Sequence, residues 1–271
     1  MARHTTLTRL ELLMCELSCL SPQLSAFSAL RHLNLSNNIQ LHTGWEHLAG
    51  LAALTLLNML DCGSIADLPQ QFSMLRIGRF SGLRCLSLGH DRPIEGDWYQ
   101  EHGEELPEPA PLPSGLLLRF PELEQLNLLG CGIDSLHEQL SSLHALSSLS
   151  LHSCALSLGL SEMADWQSLA SLVRLTQLRL WGCRLAAVPA ELEELSLLST
   201  GLTTVPPSLA VLTRLTALNL GDNRQMATGW HRLYLLPLSH LTHLSLKYCD
   251  IDCDRQPPEL AALRARARVF F

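Results

Sequence analysis

Leucine recurs along this chain as L-x-x-L-x-L-x-x-(C/N)-x-L, and no other feature restricts the fold as tightly. The pattern reads LTRLELLMCEL from Leu7, LRHLNLSNN from Leu30, LTLLNMLDC from Leu54, LRCLSLGHD from Leu83 and LEQLNLLGCGI from Leu123. It continues as LSSLSLHSCAL from Leu146, LTQLRLWGCRL from Leu175, LEELSLLSTGL from Leu192, LTALNLGDN from Leu215 and LTHLSLKYCDI from Leu241. In L-x-L the leucines are two residues apart, so in a strand both point to one face. That face is the interior, and the x residues look outward. Each repeat then contributes one short strand, and successive strands stack in parallel about 4.8 Å apart. A second apolar row, at Leu136, Leu140, Leu143 and Leu146 and again at Val205, Leu209, Leu212 and Leu215, returns the chain along the outer side, with Pro206 discouraging a long helix.

Composition agrees with this layered interior. Hydrophobic residues make up 47% of the 271 residues and aromatics only 5%, while leucine supplies about a quarter. One γ-branched side chain in such excess suits a small layer stacked many times better than an irregular globular core.

On these residues the chain resembles the leucine-rich-repeat family over nearly all of residues 7 to 263, and its short repeats resemble the intracellular class related to the plant Ras-group proteins. The resemblance implies an α/β solenoid, a horseshoe of about ten repeats. Its parallel sheet would lie on the concave side, with loops, 3-10 turns and short helices on the convex side. Residues 1–271 are then one domain. Repeat starts are 23, 24, 29, 40, 23, 29, 17, 23 and 26 residues apart. The 17-residue step from Leu175 to Leu192 omits part of the outer arc and predicts a local pinch. The 40-residue step holds an acidic, Pro-rich insertion over residues 92–114. That segment reads either as a solvated loop or as an arm docking a basic partner, with Trp98 and Tyr99 as anchors. Trp45 and Trp230 each follow a Thr-Gly turn and are expected to cap the outer apolar row.

Cys15, Cys62, Cys131, Cys154, Cys183 and Cys249 occupy the C/N slot, which Asn38 and Asn223 share and which Asp91 and Thr200 vary. The resemblance implies that this residue lines the turn after the strand, where buried backbone groups need partners. A thiol fills the slot as a small apolar group and a weak donor. These cysteines are therefore expected to be buried, reduced and inert, which favours the cytosol or nucleus. Spread one per turn, they form no metal knuckle. No GxSxG elbow, P-loop or GxGxxG is present, and the histidines are scattered, so neither a catalytic site nor a cofactor is expected. The formal charge of −7 argues against nucleic acid as the main ligand. No apolar run is long enough to span a bilayer.

Function is then expected on the concave x positions. The central column reads Glu11, Asn34, Asn58, Ser87, Asn127, Ser150, Arg179, Ser196, Asn219 and Ser245, and the next one reads Leu13, Ser36, Leu60, Gly89, Leu129, His152, Trp181, Leu198, Gly221 and Lys247. Trp181 beside Arg179 and His152 is the leading hot-spot candidate, because Trp and Arg dominate interface energetics. His243, Lys247 and Tyr248 form a second cluster, and Asn127 is a further contact candidate. The expected role is a non-enzymatic interaction module or scaffold for a protein partner. The alternative is the recognition portion of a larger signalling, immune-receptor or ubiquitin-ligase assembly. The N-terminal repeat looks uncapped, predicting either a truncated sequence or a partner or dimer over it, whereas PPELAALRARARVFF reads as a modest C-terminal cap.

Overall fold

The computed structural model describes residues 6–63, 82–89, 112, 115–130, 139–152, 169, 171–181, 189–226, 235, 237–250 and 258–271. The chain forms two compact units, Met1–Leu146 with Ser153–Leu158 and Ser147–His152 with Gly159–Phe271. The acidic insertion with Trp98 and Tyr99, the slot residues Asp91, Cys131, Cys154 and Cys183, and Trp230 lie outside the described residues. So does the arc expected to be pinched, 182–188.

The first unit carries β1 (Arg9–Glu11), β2 (His32–Asn34), β3 (Leu56–Leu60), β4 (Cys85–Gly89) and β5 (Gln125–Leu129). They pair in parallel and in chain order, with Leu10, Leu33, Leu57, Leu86 and Leu126 in register. The second unit carries β6 (Ser148–His152), β7 (Gln177–Trp181), β8 (Glu194–Leu198), β9 (Ala217–Asn219), β10 (His243–Ser245) and β11 (Arg268–Phe270). There Leu149, Leu178, Leu195, Leu218, Leu244 and Val269 are in register. Every one of these inward side chains is buried except Leu10 and Val269, which belong to β1 and β11 and are half-buried. Full burial of a leucine stabilises by roughly 1.5–3 kcal/mol, so the register is held by the apolar column. The strands on either side of the 17-residue step keep that register residue for residue.

The outer row is built from short 3-10 helices, Pro22–Ala26, Trp45–Gly50, Leu117–Arg119 and Pro207–Val211, each sending a buried residue inward. Proline opens two of them, and the Ser21 side chain caps the first by accepting from the Gln23 N–H. Gly44 takes φ of 83° before Trp45, and a Cβ there would come within 2.5 Å of the Leu20 carbonyl oxygen. Trp45 is buried in this row.

The slot residues after β2, β3, β9 and β10 reach back onto the preceding turn. Asn38 Oδ1 accepts the N–H groups of Cys15 and Leu17, both at 3.0 Å, and its Nδ2 donates to the Leu12 and Leu35 carbonyls. Asn223 repeats the arrangement in the second unit: Oδ1 accepts from Thr200 and Leu202, and Nδ2 donates to Leu197 and Leu220. In the same slot Cys62 Sγ donates to the Leu35 carbonyl at 2.9 Å, and Cys249 Sγ donates to the Leu220 carbonyl at 3.1 Å. Burial pushes the Cys62 thiol up to about 12, far from the thiolate that reactivity requires. Burial also raises Cys249.

Two expectations need correction. Cys15 is exposed rather than buried, and its Sγ finds only the Leu13 carbonyl of its own turn at 3.4 Å. Cys249 is half-buried rather than fully buried, whereas the slot residues Asn38, Cys62, Thr200 and Asn223 are buried; among the described residues Cys15 has no preceding turn to cover it. The C-terminal tail is also more than a cap. After the helix Pro258–Arg264 it adds β11, an eleventh strand among the described residues, paired with β10. Leu260, Leu263 and Ala267 of this segment are buried.

Candidate functional site

The open face of the first unit is neutral and self-contained. Its side chains come from the x positions, held outward because the alternating leucines are held inward. Its described charges of opposite sign are paired: Arg9 bonds Glu11 at 2.9 Å, and Arg84 just before β4 bonds Glu124 just before β5. Hydrogen bonding from Asn34, reinforced by Arg9, lowers the Glu11 carboxyl below its ordinary value. The asparagines fold onto their own backbone: Asn34 Oδ1 accepts the Ser36 N–H and hydroxyl, and Asn58 Oδ1 accepts the Leu60 N–H. Leu129, expected in the open column, is instead buried, and the Leu129 backbone passes so close to Gly89 that no Cβ would fit there.

The open face of the second unit has relief. His152 on β6 and Trp181 on β7 are partners in register, and their rings stack with centroids 3.7 Å apart and planes 15° apart. Trp181 remains 43% exposed. Arg179 stands two residues earlier on the same face and pairs with Glu194 of β8 at 3.3 Å. Across β8 and β9 the face falls to Ser196, Ala217, Asn219 and Gly221, with the Asn219 side chain again accepting a backbone N–H, that of Gly221 at 3.0 Å. It rises again at His243, Lys247, Arg268 and Phe270, all exposed. A depression of about 380 Å³ lies between, lined by Arg179, Glu194, Ala217, Asn219, His243 and Phe270 among others.

Inward leucines in register, outward columns one residue per repeat, and an asparagine or cysteine closing turns at Asn38 and Cys62 and at Asn223 and Cys249 occur together in both units. This is the leucine-rich-repeat fold. No family model and no curated protein matches the chain. Solved structures similar to it include three of low identity. The plant peptide hormone receptor RGFR1 in complex with RGF2 is 16% identical at a TM-score of 0.49, over 93% of this chain. The chain spans only 37% of that receptor's length. A leucine-rich-repeat protein of Leptospira interrogans is 14% identical at a TM-score of 0.45, covering 98% of this chain and 84% of that one. An internalin (inlF) from Listeria monocytogenes is 16% identical at a TM-score of 0.44, covering 98% and 87%.

The candidate residues fall into three places. Arg179, Trp181 and His152 come together on β6 and β7. His243 and Lys247 stand on or just after β10, three strands from β7. Tyr248, though 75% exposed, is not a face position; it is the left-handed residue of the turn, with φ of 59°. Asn127 is half-buried and belongs to the first unit's face. Sequence reasoning missed Arg268 and Phe270, whose strand carries Val269 where the earlier repeats carry leucine. It also missed a recurring backbone feature. The residue just before the slot has positive φ at Met14, Asn37, Asp61, Gly130, Ser199, Asp222 and Tyr248. Asparagine, aspartate and glycine at four of these positions are the residues most tolerant of that conformation, and they were the available signal. Among the described residues no group of three or more His, Cys, Asp or Glu is placed to hold a metal, and no helix is long and apolar enough to cross a membrane.

Proposed function

We propose that the chain is a non-enzymatic recognition module that binds a protein partner on the open face of the second unit's sheet, with Trp181 and Arg179 at the centre of the contact. The observation that carries this reading is the exposed indole of Trp181 held against His152. A stacked ring is already ordered, so a partner that covers it gains contact area with little further loss of conformational freedom. The exposed Arg179–Glu194 pair contributes little to folding and leaves the guanidinium ready to exchange partners. The small side chains beyond it let a partner approach the sheet closely. Cysteines used as thiol donors in the turns support a reducing compartment, the cytosol or nucleus.

The test is affinity recovery of a partner with the intact chain, then quantitative binding with Trp181→Ala and Arg179→Ala. Each substitution is expected to weaken binding about tenfold or more, as for central interface residues. Unchanged affinity in both would remove the assignment.

A further inference from the structure

We infer that the depression on the second unit's open face is a trough for one acidic peptide segment of a protein partner, lying parallel to the strands over β8 and β9. The inference rests on the reading of that face as the binding surface and adds the chemistry of what binds. Shape gives the direction. Arg179 of β7 lines one side, with Trp181 two residues further along the strand; His243, Ser245 and Phe270 line the other, with Lys247 two residues past Ser245; and Ala217 and Asn219 floor the space between, Gly221 following two residues on. From β7 to β10 is three strand spacings, roughly 14 Å, which admits a single peptide segment between the walls.

Charge gives the chemistry. The whole chain is acidic, at −7. Yet among the described residues the outward column positions of β6 to β11 carry Arg179, Lys247 and Arg268 against one carboxylate, Glu194, while Asp222 past β9 is paired with Arg224. Lys247 is the only lysine of the chain. Neither it nor Arg268 forms an ion pair among the described residues, and both are exposed. Arg179, paired with Glu194, lines the depression, and the unpaired Lys247 and Arg268 border it two residues from Ser245 and Phe270, so its rim presents complementarity to carboxylates, which steers association and sets register. Phe270, 44% exposed, and Trp181 flank the cations with apolar surface, so the matching segment alternates acidic and apolar side chains. Three cations on a chain of net negative charge are too few for a polyphosphate backbone, which requires a broad basic patch.

Selection of a random displayed peptide library on the full chain tests this, followed by titration of the enriched peptides. Peptides with at least two Asp or Glu beside an apolar residue are expected. Affinity should fall about tenfold or more in the Lys247→Glu, Arg268→Glu double variant and recover when the peptide's acids are exchanged for lysine. It should weaken several-fold between about 0.05 and about 0.3 M salt. Ala217→Trp, which fills the trough from the open face, should abolish binding. Neutral or basic peptides, no enrichment, an insensitive double variant, or tighter binding of single-stranded oligothymidine would each overturn the inference. Non-acidic peptides lost with Trp181→Ala would sink the acidic chemistry while leaving the protein-binding face standing. Peptides indifferent to both Trp181→Ala and Ala217→Trp would sink the face itself.

Discussion

The first and second units use one repeat to make two different surfaces. Their interiors are interchangeable in kind: buried leucines in register, 3-10 returns, and an asparagine bridging turns at Asn38 and again at Asn223. Their open faces are not. The first unit spends its polar side chains internally, through Asn34, Asn58 and the Arg9–Glu11 pair. The second unit leaves an indole, a phenyl ring and three cations exposed around a floor of small residues. The lesson is a separation of labour within each strand. Alternating leucines determine where a side chain points, and the residues between them are free to differ.

That comparison makes graded predictions. The largest effect belongs to the shared scaffold. Asn38→Ala leaves the N–H groups of Cys15 and Leu17 without their acceptor and the Leu12 and Leu35 carbonyls without their donor. A loss of about 3 kcal/mol is expected, given roughly 1–3 kcal/mol per unsatisfied buried group and partial exposure of the turn. Asn223→Ala should cost the same within about 1 kcal/mol, measured by urea denaturation. Widely different costs would show that the two interiors are not equivalent.

The faces come next. Trp181→Ala with Arg179→Ala should lower partner affinity at least tenfold at unchanged stability, whereas Asn58→Ala with Asn127→Ala should change it less than about twofold. Equal losses would erase the functional contrast between the units.

Thiols give a smaller, pH-dependent signal. Cys62 is buried as a neutral thiol raised to about 12, above its ordinary 9.0. A raised folded value means the folded state holds the proton more tightly. The contribution is therefore complete below about pH 9 and disappears as pH rises from 9.0 toward 12. Cys62→Ala should remove that part of the alkaline decline. In native alkylation at neutral pH, Cys15 and Cys19, both exposed, should label well before Cys62. The smallest effect is expected from the exposed Arg214 pairs with Glu191 and Glu193, where Arg214→Ala should cost less than about 0.5 kcal/mol.

Much of the fold was legible because its determinant is periodic. The spacing of Leu33 and Leu35, repeated at Leu195 and Leu197, specifies a strand, its inward face and its register at once. The return arc was legible from Val205, Leu209 and Leu212 for the same reason. What escaped was whatever departs from the period. Val269 alone carries the inward position of β11, so that strand, with Arg268 and Phe270, read as a tail. The exposure of Cys15 depends on which turn covers it, and the slot residue itself carries no such information. The candidate site was half legible. Trp181, Arg179 and His152 stood out by type, but the trough also needs Ala217 and Gly221, and small residues announce nothing until neighbouring strands raise walls around them.

Hydroxyl-radical footprinting of the chain alone and in complex with its partner addresses the central claim most directly. Protection should concentrate on Trp181, His243 and Phe270, while Leu13 and Met14 in the first unit oxidise as in the free chain. Unaltered oxidation of Trp181 on saturation, with protection at Leu13 and Met14 instead, would contradict the account.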